Sequence, residues 1–315
     1  MSLKSSTLSS NILNKHNIIR KMKRHWGLYL LLLPPLIYII IFHYIPMFGI
    51  QIAFRNFIPT DGLFGSPWVG FLNFQKFFKS YVFWRVIKNT LGLNLYWLFV
   101  SSPIPIILAI AVNEVTSAGL KKTVQMVTYA PHFISMAILV SMVMQILSPH
   151  TGIVNNIIKL LGGQPVNFMG EAAYFKSIFV WSGVWQQAGY SSIIYIAALA
   201  GIDLQLYEAA VVDGASKLKR IWYIDIPGIL PTAVILLVLH TGRIMNIGFE
   251  KIYLMQNSMN ISSSEVISTY VYKVGLINGN YSFSTAIGLF NSLINLMLIV
   301  LVNKAARKFS DTSLW

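Results

Sequence analysis

The residues of this chain that can do chemistry are few, and they suit binding better than reaction. There is no cysteine, so thiol nucleophiles, thiolate metal sites and disulfides are excluded. The ten acidic residues are spread from Asp61 to Asp311, which argues against a clustered carboxylate active site. No Gly is followed by Lys, so the phosphate-binding Gly-Lys-Ser/Thr is missing, and there is no His-Glu-x-x-His. What remains is a set of amides and aromatics inside or beside apolar stretches: Asn94, Trp185, Gln186, Gln187, Tyr190, Tyr195, Asn246, Asn291 and Asn295. Aromatic faces can cover the apolar side of a sugar ring while amides reach its hydroxyls. Buried amides also tie membrane helices together, and for any single residue that is the favoured reading. Arg243, next to Asn246, is costly in lipid and must face protein or water. It reads an acidic sugar or pairs with Glu250, and the structural pair is favoured.

These side chains must be positioned by membrane helices. The chain is 55% hydrophobic and 11% charged, against roughly 25% charged residues in soluble domains. The net charge of +14 is better explained by membrane flanks than by nucleic acid. Stretches free of Asp, Glu, Lys and Arg predict six spans: Gly27–Ile45, Thr90–Val112, Val124–Leu147, Ser177–Ala200, Ile229–Gly248 and Thr285–Val302, the fifth carrying Arg243. Ser148-Pro149-His150-Thr151-Gly152 reads as a turn. Fourteen Lys and Arg fall on the side of the termini and nine on the other, which places both termini in the cytoplasm. The expected organisation is a basic N-tail over 1–26, a first span over 27–45, and an extracellular segment over 46–89. A core of five spans follows over 90–303, with a C-tail over 304–315. Within the extracellular segment, Phe71–Phe78 predicts an amphipathic helix that lies at the membrane interface or packs on a partner subunit. Pro34-Pro35, Pro103 and Pro105 predict local kinks, with a hinge as the functional alternative.

The loop before the fifth span carries the most information. Asp203 is placed to cap a short helix running to about Val212. Gly214 permits the positive φ of a sharp turn. Ser216 then caps a second helix, expected to end near Pro227 because the residue before proline avoids the helical region. Two short helices meeting at Asp213-Gly214 suit docking into a groove on a cytoplasmic partner.

Glu208-Ala209-Ala210, Asp213-Gly214-Ala215, Trp222, Ile224, Pro227 and Pro231 resemble, in order and position, the EAA loop of binding-protein-dependent ABC importers. Trp222 stands where that family has Phe or another aromatic. The resemblance implies that 203–228 forms a coupling helix seated in a cleft of an ATPase subunit. Further matches resemble permeases of complex-oligosaccharide importers of the Lpl type. They include Leu28–Pro35, Phe42–Gly49, Gly65–Gly70, Tyr129–Ser135, Asn246–Glu250, Thr269–Tyr272, Tyr281–Gly288 and Ser313–Trp315. The resemblance implies an all-α integral membrane protein with six spans, a type I, maltose-type permease core and no enzymatic activity or cofactor of its own. ATP and Mg would be bound by partner ATPase subunits. It also implies a second permease as heterodimer partner, two ATPase copies and a lipid-anchored extracellular solute-binding protein, in a bacterial cytoplasmic membrane. The competing reading is an ion-coupled secondary carrier, which the absence of acids from the six predicted spans opposes. A membrane-embedded enzyme lacks any catalytic constellation.

Overall fold

The computed structural model describes residues 24–241, 245 and 248–309, with side chains to 305. The tails at 1–23 and 310–315, and Arg243 and Asn246 with them, lie outside the described residues. Secondary structure among the described residues is helical apart from one isolated antiparallel bridge, Arg55 to Trp68. In chain order the main helices are α1 (Trp26–Phe54), α2 (Leu72–Lys79), α3 (Phe83–Asn113), α4 (Ala118–Phe133) and α5 (Met136–Ile146). Then come α6 (Ile153–Leu160), α7 (Ala172–Ala200), α8 (Leu204–Val212) and α9 (Lys217–Thr241). The chain closes with α10 (Phe249–Met255), α11 (Ile261–Ser264), α12 (Ile267–Tyr272) and α13 (Tyr281–Phe309).

Four of these, α1, α3, α9 and α13, are long and apolar enough to cross a membrane, and the number rises to six if each of two bent helix pairs is one span. The bent pairs are α4 with α5, at 101°, and α7 with α8, at 71°. The expectation of six spans therefore holds only with the bent pairs counted. The predicted third span, Val124–Leu147, is not one straight helix. Pro131 sits in the 3-10 turn Ala130–Phe133, and Ser135 is extended and accepts from the Ile138 amide, so the chain restarts as α5 at a new angle.

Two boundaries move for a shared reason. The first span was expected to stop at Ile45, and the second loop helix near Pro227, yet both helices continue past the proline. Each does so through a π-turn, Ile40–Tyr44 before Pro46 and Ile221–Asp225 before Pro227. The amides of Ile45 and Ile226, which precede the prolines, bond five residues back, to the carbonyls of Ile40 and Ile221. The wider turn eases the clash between the proline ring and the preceding turn that a regular α-helix would impose. The segment expected outside from residue 46 thus begins as helix, which runs to Phe54 and ends where Arg55 turns extended.

The helix expected over Phe71–Phe78 is present as α2, with Phe71 and Phe78 exposed and its other face packed on the chain itself. Helix α2 turns Phe74 and Phe77 inward onto the chain's own last helix, with Phe77 5.6 Å from Phe290 between ring centroids. Asn73 clamps it to the end of α1 through the carbonyls of Ala53, 2.9 Å, and Arg55, 3.3 Å.

Two helices organise the rest. α7 packs against α3, α4, α9 and α11, while α13 packs against α1, α2, α9 and α12. Lipid gives no hydrophobic drive for helix association, so close contact depends on small residues and polar ties. Gly189 is such a contact: a Cβ there would lie 2.0 Å from the Thr128 carbonyl oxygen of α4. A buried ionic group locks α12 and its neighbours to α3, with Glu265 accepting from Arg85 at 2.5 Å and lying 3.5 Å from Lys273. The first part of α1, Trp26–Ile39, has no buried residue and exposes its apolar surface, whereas its end, with Ala53 buried, packs on α13.

Candidate functional site: a cavity and an exposed hairpin

A cavity of about 620 Å³ opens beside α7, between α3, α9 and α10. Asn94, Gln186, Gln187, Tyr190 and Tyr195, all singled out in the sequence, line it. Trp185, half exposed, is not among its lining residues, and neither are Asn291 and Asn295. Several of the amides are tied to the fold. Gln186 donates to the Ile134 carbonyl at 2.8 Å, holding α7 to the break between α4 and α5. Asn94 donates to Thr90 one turn back at 2.8 Å, and Asn295 accepts from the Met245 amide at 3.0 Å. Gln187 shares a 2.9 Å hydrogen bond with His132, whose ring stacks on Tyr190 at 3.8 Å and 2°. Helix ties and a polar wall are thus built from one set of residues.

The wall also contains groups that sequence reading passed over. Trp97, Ser101 and Ser102 come from α3, Ser102 standing just before Pro103. Lys251 comes from α10 and was counted only as one loop cation. Its ammonium is buried, donates to the Phe179 carbonyl at 2.8 Å and lies 4.8 Å from the centre of the Phe179 ring. Burial pushes it down to about 7. Gly183 keeps this corner open, since a Cβ there would meet the Trp97 ring at 2.4 Å and the Lys251 Nζ at 2.9 Å.

The second feature is the hairpin of α8 and α9. Asp203 caps α8 by accepting from the Gln205 amide at 3.0 Å, as expected. The helix ends in a Schellman motif: the Gly214 amide bonds the Val211 carbonyl at 3.0 Å and the Ala215 amide bonds the Ala210 carbonyl at 2.8 Å. Gly214 takes φ of +72° at that turn. Ser216 stands at the start of α9 but makes no side-chain cap bond. The hairpin is held by Tyr207, which donates to the fully buried Asp225 of α9. Burial and that hydrogen bond push the Tyr207 phenol above its ordinary range. Asp225, expected near the end of the second loop helix, sits inside a helix that continues to Thr241. Glu208, Ala209, Asp213, Gly214, Trp222 and Pro227 are exposed, and Ala210 and Ala215 are half-buried. The surface around them is apolar as well, with Leu204, Val212, Leu218 and Tyr223 all more than 70% exposed.

Residues 101–311 match the family described as "Binding-protein-dependent transport system inner membrane component". Protein LplB of Bacillus subtilis (strain 168) is 42% identical over 294 residues, covering 93% of this chain and 92% of LplB. The polygalacturonan/rhamnogalacturonan transport system permease protein YteP of the same organism is 40% identical over 301 residues, covering 96% of this chain and 94% of YteP. Among solved structures, a chain of the bacterial alginate ABC transporter in complex with an alginate pentasaccharide-bound periplasmic protein is 40% identical, with a TM-score of 0.87. That match covers 94% of this chain and 99% of the other. The family match, the two relatives and the shared fold agree with the resemblance carried by the EAA residues, and they do not favour the secondary-carrier reading. The chain belongs to the family of binding-protein-dependent transport system inner membrane components.

Proposed function

We propose that the cavity and the exposed hairpin are the two working parts of an oligosaccharide importer. The chain is the permease subunit of that ATP-driven machine and forms half of an alternating-access pathway. The cavity belongs to the pathway, and the hairpin of residues 203–228 is the coupling element. One observation carries the coupling role: an apolar hairpin held rigid by Gly214 and by the Tyr207–Asp225 bond, yet left uncovered on its outer face. Such a surface suits the groove of a second protein. That protein is an ATPase subunit, present in two copies, which holds ATP and Mg; this chain holds neither. A second permease completes the pathway, and a lipid-anchored binding protein delivers solute from outside. The termini and the hairpin lie on the cytoplasmic side of a bacterial cell membrane.

The test is reconstitution of the complete transporter in liposomes. Uptake should require ATP, whereas an ion-coupled carrier would work without nucleotide. Gly214→Asp strains a left-handed position at a cost of about 1–2 kcal/mol, and Glu208→Lys reverses a charge on the docking face. Both variants should insert normally and remain with the second permease. Both should lose stimulated ATP hydrolysis and uptake together. Wild-type rates of both in the two variants would remove the coupling assignment.

A further inference from the structure

Lys251 is the cation in the cavity wall whose surroundings least explain it. Arg85 and Lys273 share Glu265, and Lys217 lies 3.9 Å from Glu114. Among the described residues, no carboxylate lies within 4 Å of Lys251. An ammonium has three donors, and the Phe179 carbonyl takes one. A buried ammonium without an anion readily gives up its proton, whereas a negative charge brought beside it favours the charged form. The Lys251 side chain is 4% exposed and lines a cavity of a volume usual for ligand pockets, about 300–1,000 Å³.

The neighbouring groups indicate what that charge comes with. The Trp97 ring shares the Gly183 corner with the ammonium, so an aromatic face and a cation stand side by side. Ser101, Ser102 and Gln187 add hydroxyls and an amide to the same wall. An indole face suits the apolar side of a sugar ring, hydroxyls and amides suit its OH groups, and an ammonium suits a carboxylate on the ring.

We infer that Lys251 is a specificity-determining residue that reads the carboxylate of a uronic-acid unit, so that the pathway accepts acidic oligosaccharides over neutral ones. The inference rests on the permease reading above. It assigns to Lys251 a role that Arg243 was a candidate for, on geometry that exists only in the folded chain.

The experiment uses the complete transporter in liposomes, with a uronic-acid trisaccharide and its carboxyl-reduced neutral counterpart as probes. The quantity read is the ratio of acidic to neutral uptake. Lys251→Gln and Lys251→Met should lower that ratio by about tenfold or more, the scale of one lost charge-assisted hydrogen bond. Lys251→Arg should keep most of it. A merely structural lysine would lower both rates alike, so an unchanged ratio in the assembled Gln or Met variants overturns the proposal. If neither neutral variant assembles with its partner subunits, Lys251 is structural and the proposal falls. Nucleotide-independent uptake by the wild type would instead overturn the permease reading, and this proposal with it.

Discussion

At the scale of single residues, glycines and amides decide how closely the helices approach. Gly189 shows the reason most directly, because α7 crosses α4 where any side chain would collide with the Thr128 carbonyl. A backbone carbonyl cannot swing aside as a flexible side chain does. Gly189→Val should therefore force the helices apart and destabilise the permease by about 1–3 kcal/mol, the usual range for overpacking. Thermal melting of the purified subunit in detergent checks this, and an unchanged midpoint would show that the helices can separate without cost. The amides tell a related story. Asn94, Gln186 and Asn295 were candidates for solute contact; Gln186 and Asn295 bond backbone groups of other segments, while Asn94 bonds the Thr90 carbonyl one turn back in its own helix. Two donors and two acceptor lone pairs per amide leave capacity for both roles.

At the scale of elements, the hairpin of α8 and α9 is the most instructive unit. Its exposed face mixes large apolar side chains with Glu208, Asp213, Lys217 and Lys219, while its inner contact is polar. Tyr207 supplies the hydrogen bond that the buried Asp225 carboxylate receives. Removing the hydroxyl in Tyr207→Phe leaves that carboxylate short of a donor, at a cost of about 1–3 kcal/mol. The hairpin should then swing more freely against α9. The expected result is a permease that inserts normally but hydrolyses more ATP per solute imported. Simultaneous assay of hydrolysis and uptake in liposomes gives that ratio, and a wild-type value would show that the tether does not transmit force. The same element explains why Pro227 does not end α9: the π-turn at Ile221–Asp225 removes the conflict between proline and helix.

At the scale of the whole molecule, the arrangement is a membrane permease with a cavity beside α7 and an exposed hairpin. Basic residues fall unevenly between the two sides of the predicted spans, fourteen against nine. That asymmetry is the basis for the proposal that the α8–α9 hairpin lies in the cytoplasm. The chain has no cysteine, so Lys217→Cys creates a single labelling site. It should react with a membrane-impermeant maleimide only in inverted vesicles or opened cells. Labelling in intact cells would reverse the topology and remove the hairpin from any ATPase.

Class and family were legible in the chain itself, because both depend on local order. Long runs without charge predict apolar helices wherever they sit, and the Asp203 cap, the end of α8 at Val212 and the Gly214 turn need only neighbours in sequence. The EAA residues are likewise contiguous and specific. What depended on distant parts of the chain was decided only by the tertiary structure. The bend between α4 and α5, the docking of Phe74 and Phe77 on the last helix, and the burial of Asp225 arise from contacts between segments far apart. Lys251 is the clearest case: in sequence it is one more loop cation near a span. Only the packing of α10 against α7, beside Gly183 and Trp97, removes it from water and turns it into part of a wall. Desolvation depends on everything around a group, and no local pattern of residues contains that information.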